Sequence, residues 1–178
     1  MTAINKEIWI EIGYEIFALH GQGEMKIERI AKKVGINKSS FYHHFADHDL
    51  FMEHLLTHHI SQSRIIAEKE RNVKNVIPEL VNVLLEHKTD LLFNRQLRIN
   101  RNKKLYNETL SKSNKIVGDD FKKVWIKELN LKLTKTQIDG IFELALENFY
   151  LQINNENLNF EWLSEYFNNF KKIANSLV

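Results

Sequence analysis

The chain has no cysteine, a single proline and six glycines among its 178 residues. The first absence excludes disulfides, thiolate metal centres and a cysteine nucleophile. So few helix breakers suit an all-α fold. No stretch approaches the roughly 18 continuous apolar residues that a bilayer crossing needs. Met1 to Ile16 carries Glu7, Glu11 and Glu15 where a secretory leader would need a basic start and an unbroken apolar run. A cytoplasmic location with no membrane partner is therefore expected. Glycine-rich phosphate loops, nucleophile elbows and acid pairs at a recognisable spacing are missing as well, so neither an enzyme nor a cofactor is expected. An excess of one charge sign is also lacking: the net value of +2 is too small to announce a nucleic-acid partner.

What is present is concentrated between Ile30 and Phe45, which read IAKKVGINKSSFYHHF. Ile27, Ile30, Ala31 and Val34 fall at i, i+3, i+4 and i+7, an apolar stripe on one side of a helix. Gly35 follows where that helix should stop, since glycine enters the left-handed backbone region without a Cβ penalty. Asn37 can cap a second helix of about two turns, anchored by Phe41 and Phe45, with Lys38, Ser39, Tyr42 and His43 pointing outward. The layout is a helix-turn-helix. From Arg29 to Ala46 there is no Asp or Glu, while Arg29, Lys32, Lys33, Lys38, His43 and His44 all fall there.

The pattern Ile-Ala, Val-Gly-Ile, Lys38-Ser39-Ser40-Phe41-Tyr42 and His44-Phe45, followed by Leu50 in a long amphipathic helix, resembles the DNA-binding end of the tetracycline-repressor (TetR) family over roughly residues 8 to 55. The resemblance implies DNA contact by Lys38, Ser39, Ser40, Tyr42, His43 and His44. Two positions depart from the family pattern. Met25-Lys26-Ile27 stands where a capping hydroxyl residue is usual, with Lys26 as a substitute phosphate contact, and His48 stands where a lysine often meets the backbone. The family further implies a transcriptional regulator, usually a repressor, that binds a near-palindromic double-stranded operator as a homodimer and releases it when a small-molecule effector enters the C-terminal domain.

The remaining chain reads as helices, giving about nine in all: a three-helix DNA-binding domain over residues 1–47 and a helical ligand-binding and dimerisation domain over residues 48–178. The first helix is expected from Lys6 to Leu19, with Ile8, Ile12, Ile16 and Leu19 on its core side. Asp47 is expected to cap a fourth helix reaching Glu70, and Pro78 to sit in a first helical turn. Thr134-Lys-Thr-Gln137 is a capping-box pattern, and Asn159 can cap the last helix. Phe142, Phe149 and Ile153 on one helix and Leu163, Phe167, Phe170 and Ile173 on the next form apolar stripes. These complete a monomer core or, as the family implies, make a four-helix dimer interface.

Seven of the eight histidines lie in the first 59 residues. His54 and His58 stand one turn apart, a spacing that can chelate a metal ion, but a complete site needs a further ligand that the sequence does not name. No resident metal is expected, and a metal-responsive regulator is kept as an alternative, beside a helical interaction module or small hydrolase without specific DNA binding. Phe93, Tyr106, Trp125, Phe142 and Tyr150 could line an effector pocket or simply be core, with His87 and Arg95 as its polar candidates.

Overall fold

A computed structural model describes residues 6–129 and 134–176. Among these residues there are eight α-helices, three shorter helical segments and no strand. None of the helices is long and apolar enough to cross a membrane. The chain divides into two compact units, one of residues 1–62 and 89–113, the other of residues 63–88 and 114–178. Their limits differ from the division at residue 47 expected from the sequence.

In the first unit, α1 (Lys6–His20) packs on α2 (Ile27–Val34), which is followed by a 3-10 segment, Lys38–His43, here called the reading helix. The next helix, α3 (His48–Arg71), begins in this unit, and α5 (Lys88–Ile99) with the first part of α6 (Lys104–Leu129) completes it. The core side of α1 departs from expectation. Trp9, Gly13, Tyr14, Ile16 and Phe17 are buried, whereas Ile8 is exposed and Ile12 and Leu19 are only half-buried. Aromatic packing decides this: Tyr14 stacks on Phe93 at 4.2 Å and Phe17 meets Tyr106 edge-on at 5.8 Å, joining α1 to α5 and α6. Gly13 is needed there, because a Cβ would lie 2.3 Å from the ring of Phe51.

A buried polar group sits within this aromatic layer. The Tyr14 hydroxyl lies 2.7 Å from His59 Nδ1 and donates to Asp90 Oδ1 at 2.7 Å. Burial pushes His59 down to about 4 although Asp90 opposes the shift, so the ring is neutral at physiological pH.

The second unit holds the end of α3, a π-turn at Val76–Leu80, α4 (Val81–Glu86), the rest of α6, α7 (Lys135–Gln152) and α8 (Phe160–Ser176). Pro78 is not in a regular first turn, since Ile77 before it is extended (φ −120°, ψ 121°). The proline ring clashes with a helical conformation of its predecessor. Thr134 and Gln137 form the expected capping box, and Asn159 accepts from Trp162 N at 2.9 Å. Trp125 packs on Phe170 at 4.1 Å and on Phe142 at 6.0 Å, and Phe149 stacks with Phe167 at 6.4 Å.

Candidate nucleic-acid interface

Local chemistry builds the helix-turn-helix as the sequence suggests. Gly35 is left-handed (φ 85°), and its N–H closes α2 on Ala31 O at 2.9 Å. Asn37 is extended and its side chain accepts from Ser40 N. Phe41 and Phe45 are fully buried, Phe41 lying 5.5 Å from Trp9 and 5.2 Å from Phe51. Anchored on this side, the reading helix exposes Lys38, Ser39, Tyr42 and His43 on the other, while Ser40 and His44 are half-buried. Tyr42 is 51% exposed although its ring touches Phe41 edge-on, so its hydroxyl is presented by a packed base.

The two residues that depart from the family pattern have defined places. His48 Nε2 lies 2.8 Å from Met25 O, so the ring ties the head of α3 to the turn that leads into α2 and is spoken for on that edge. Lys26 occupies the N-cap of α2 with no side-chain cap bond and is exposed. It therefore leaves the cap function unfilled but keeps its ammonium at the surface.

The basic stretch is less basic in space than along the chain. Arg29 pairs with Glu24, Lys33 with Glu15 at 3.1 Å, and Lys38 with Glu28 at 2.6 Å. Hydrogen bonding to Lys38 holds Glu28 below the usual carboxylate range and raises Lys38 in return. Asn37 Oδ1 also accepts the hydroxyls of Ser39 at 2.6 Å and Ser40 at 3.1 Å. These holds were hidden in the sequence, where Glu28 stands ten residues before Lys38 and Asn37 reads only as a cap.

The expected effector residues are divided between the units. Phe93, Arg95 and Tyr106 belong to the first unit, and His87, Trp125, Phe142 and Tyr150 to the second. Of the expected interface residues, Phe142, Phe149, Ile153, Leu163 and Phe167 are buried within their own unit, Phe170 is half-buried and Ile173 is 59% exposed. Ile173 on α8 is joined at the surface by Leu144 (74% exposed) and Leu151 (78%) on α7. Beside them a groove of about 310 Å³ is lined by Asn148, Gln152, Trp162, Tyr166, Phe170 and Ile173 among others.

Among the described residues no three His, Asp or Glu side chains gather as a metal site. His54 Nε2 accepts from Lys6 Nζ at 2.7 Å, and burial followed by the Lys6 charge lowers its affinity for protons. One buried acid went unnoticed in the sequence. Glu70, near the end of α3, has no hydrogen-bond partner on either carboxyl oxygen among the described residues, and burial, reinforced by Asp120, pushes it up to about 8.

Residues 10–54 match the family of bacterial regulatory proteins named tetR. The whole chain also resembles the crystal structure of a protein assigned to the TetR family of transcriptional regulators, from Mesorhizobium loti. The TM-score is 0.57 at 16% identity, over 96% of this chain and 95% of that one. No curated protein matches the sequence. The tetR likeness thus covers residues 10–54, and the whole chain shares the fold of the Mesorhizobium loti protein.

Proposed function

We propose that the protein is a repressor rather than an enzyme, working in the cytoplasm as a homodimer on a near-palindromic operator. The observation that carries this is the outward reading helix, with Lys38, Ser39, Tyr42 and His43 exposed on a buried aromatic base inside the matched segment. A short helix of this kind places its first residues against base edges in the major groove, while hydroxyls and cations reach phosphates. The exposed Leu144, Leu151 and Ile173 support association through α7 and α8, since large apolar side chains left in water favour a partner surface. Release by a small molecule is read as a coupling free energy between operator and effector. Its seat in this reading is the second unit, with His87, Trp125, Phe142 and Tyr150 as candidates.

Selection of genomic fragments by the purified protein tests the proposal. The expected result is a near-palindrome whose half-sites are about 34–36 Å apart. Lys38→Ala and Tyr42→Phe should each weaken binding to it by roughly 1–3 kcal/mol. Normal affinity in the double variant would displace the reading helix from the interface, and a monomer at micromolar concentration would remove the dimer.

A further inference from the structure

Each of three cations of the helix-turn-helix carries a carboxylate from a neighbouring turn: Arg29 with Glu24, Lys33 with Glu15, Lys38 with Glu28. The third pair differs from the others in location. Arg29 and Lys33 belong to α2, but Lys38 is the first residue of the reading helix, and Glu28 is the second residue of α2. A group that reaches DNA through Lys38 therefore brings a carboxylate within 2.6 Å of the same ammonium. The following residues are held as well, because Ser39 and Ser40 both donate their hydroxyl hydrogens to Asn37 Oδ1. Until they rotate away, these hydroxyls can offer a phosphate only lone pairs, which it cannot use.

We propose that Glu28 is a specificity-determining residue of the DNA interface: it competes with DNA for the Lys38 ammonium and so suppresses attachment to arbitrary sequence. The inference rests on the operator-binding reading above. Binding to arbitrary DNA comes almost wholly from cations replacing counterions along the phosphates. A lysine already paired with a carboxylate gains little from that exchange, and the abandoned carboxylate then faces a polyanion. At a cognate site, base contacts from the rest of the reading helix add a favourable contribution that offsets the lost pair. Discrimination therefore rises even though total affinity falls, the usual effect of a repulsive element built into an interface.

The test compares wild type with Glu28→Gln by fluorescence anisotropy on two probes: the duplex recovered by genomic selection and a 30-base-pair mixed-sequence duplex, each over a range of salt. Glu15→Gln and Glu24→Gln serve as controls for pairs confined to α1, α2 and the turn between them. Glu28→Gln should tighten binding to the mixed duplex by roughly three- to tenfold and steepen its salt dependence by about one unit of log K per log salt. Affinity for the selected duplex should rise less, so the ratio between the probes falls. In a Lys38→Gln background, where only the repulsion between the carboxylate and DNA remains, the effect of Glu28→Gln should fall by more than half. An unchanged ratio, or an effect undiminished in that background, overturns the role of Glu28 while leaving operator binding intact. Failure of the wild type to select any sequence removes the operator reading and this inference with it.

Discussion

Tyr14 has one hydroxyl hydrogen and two buried neighbours. It donates to Asp90, so the 2.7 Å approach of His59 Nδ1 requires that nitrogen to carry its own hydrogen and donate to the phenol oxygen. His59 is then the neutral Nδ1–H tautomer, in keeping with the low proton affinity that burial gives it. Nitrogen-15 shifts of the imidazole should show Nδ1 protonated and Nε2 bare throughout the range from pH 6 to 8. Tyr14→Phe takes a partner from both neighbours in a buried place, and should cost about 1–3 kcal/mol in urea unfolding. Equal stability of that variant, or an Nε2–H tautomer, would contradict this arrangement. At the same scale, Glu28 and Asn37 hold the first three residues of the reading helix in the unbound protein.

Single elements differ in how well the sequence announces them. Gly35, Asn37, Asp47, Thr134 and Asn159 act within four residues of themselves, and each caps or ends its helix as expected. The reading helix was legible for the same reason, since Phe41 and Phe45 anchor it four residues apart. The buried face of α1 was not, because its partners Phe93 and Tyr106 lie some 80 or more residues downstream and no local window includes them. On α7 the sequence left the apolar stripe open between monomer core and dimer seam. Phe142, Ala145 and Phe149 fill their own unit, whereas Leu144 and Leu151 look isolated among Glu143, Glu147 and Asn148 yet stand seven residues apart on one side. Substitutions on the two sides of α7 should therefore differ in outcome. Leu144→Glu with Leu151→Glu should give folded monomers, while Phe149→Glu should lose the fold, because an unpaired carboxylate in that core costs several kcal/mol. Light scattering beside circular dichroism distinguishes the two outcomes; a dimer that survives the double leucine change would place the seam elsewhere.

For the molecule as a whole, two buried groups tilt stability in opposite directions with pH. His59 titrates near 4 in the fold against 6.5 ordinarily, so its contribution is full above 6.5 and is lost as pH falls toward 4. Glu70 titrates near 8 against 4.5, so the fold keeps a proton that the unfolded chain releases, and stability is lost as pH rises from 4.5 to 8. The two slopes oppose each other between 4.5 and 6.5, and above 6.5 only that of Glu70 remains. Carboxylates held down by lysine hydrogen bonds, Glu28, Glu86, Asp120 and Asp139, lose their contributions only as pH falls through the acid range below that window. Urea unfolding should accordingly show little change from pH 4.5 to 6.5 and a decline toward 8. Glu70→Gln should abolish the decline and add on the order of 2–4 kcal/mol at pH 8. Parallel profiles for the two proteins would exclude Glu70 as its source.

The three tryptophans are divided between the units, and this gives the molecule a built-in optical label for each. Trp9 is fully buried against Phe41 at the root of the reading helix, while Trp125 and Trp162 belong to the other unit. Trp162 lies against Tyr166 in the groove that also holds Phe170 and Ile173. Emission from Trp9 thus reports on the DNA-reading core, shielded from aqueous quenchers, whereas emission from Trp162 reports on whatever covers the outer face of α8. A chain without dyes or thiols to modify can in this way be followed at both ends by its own light.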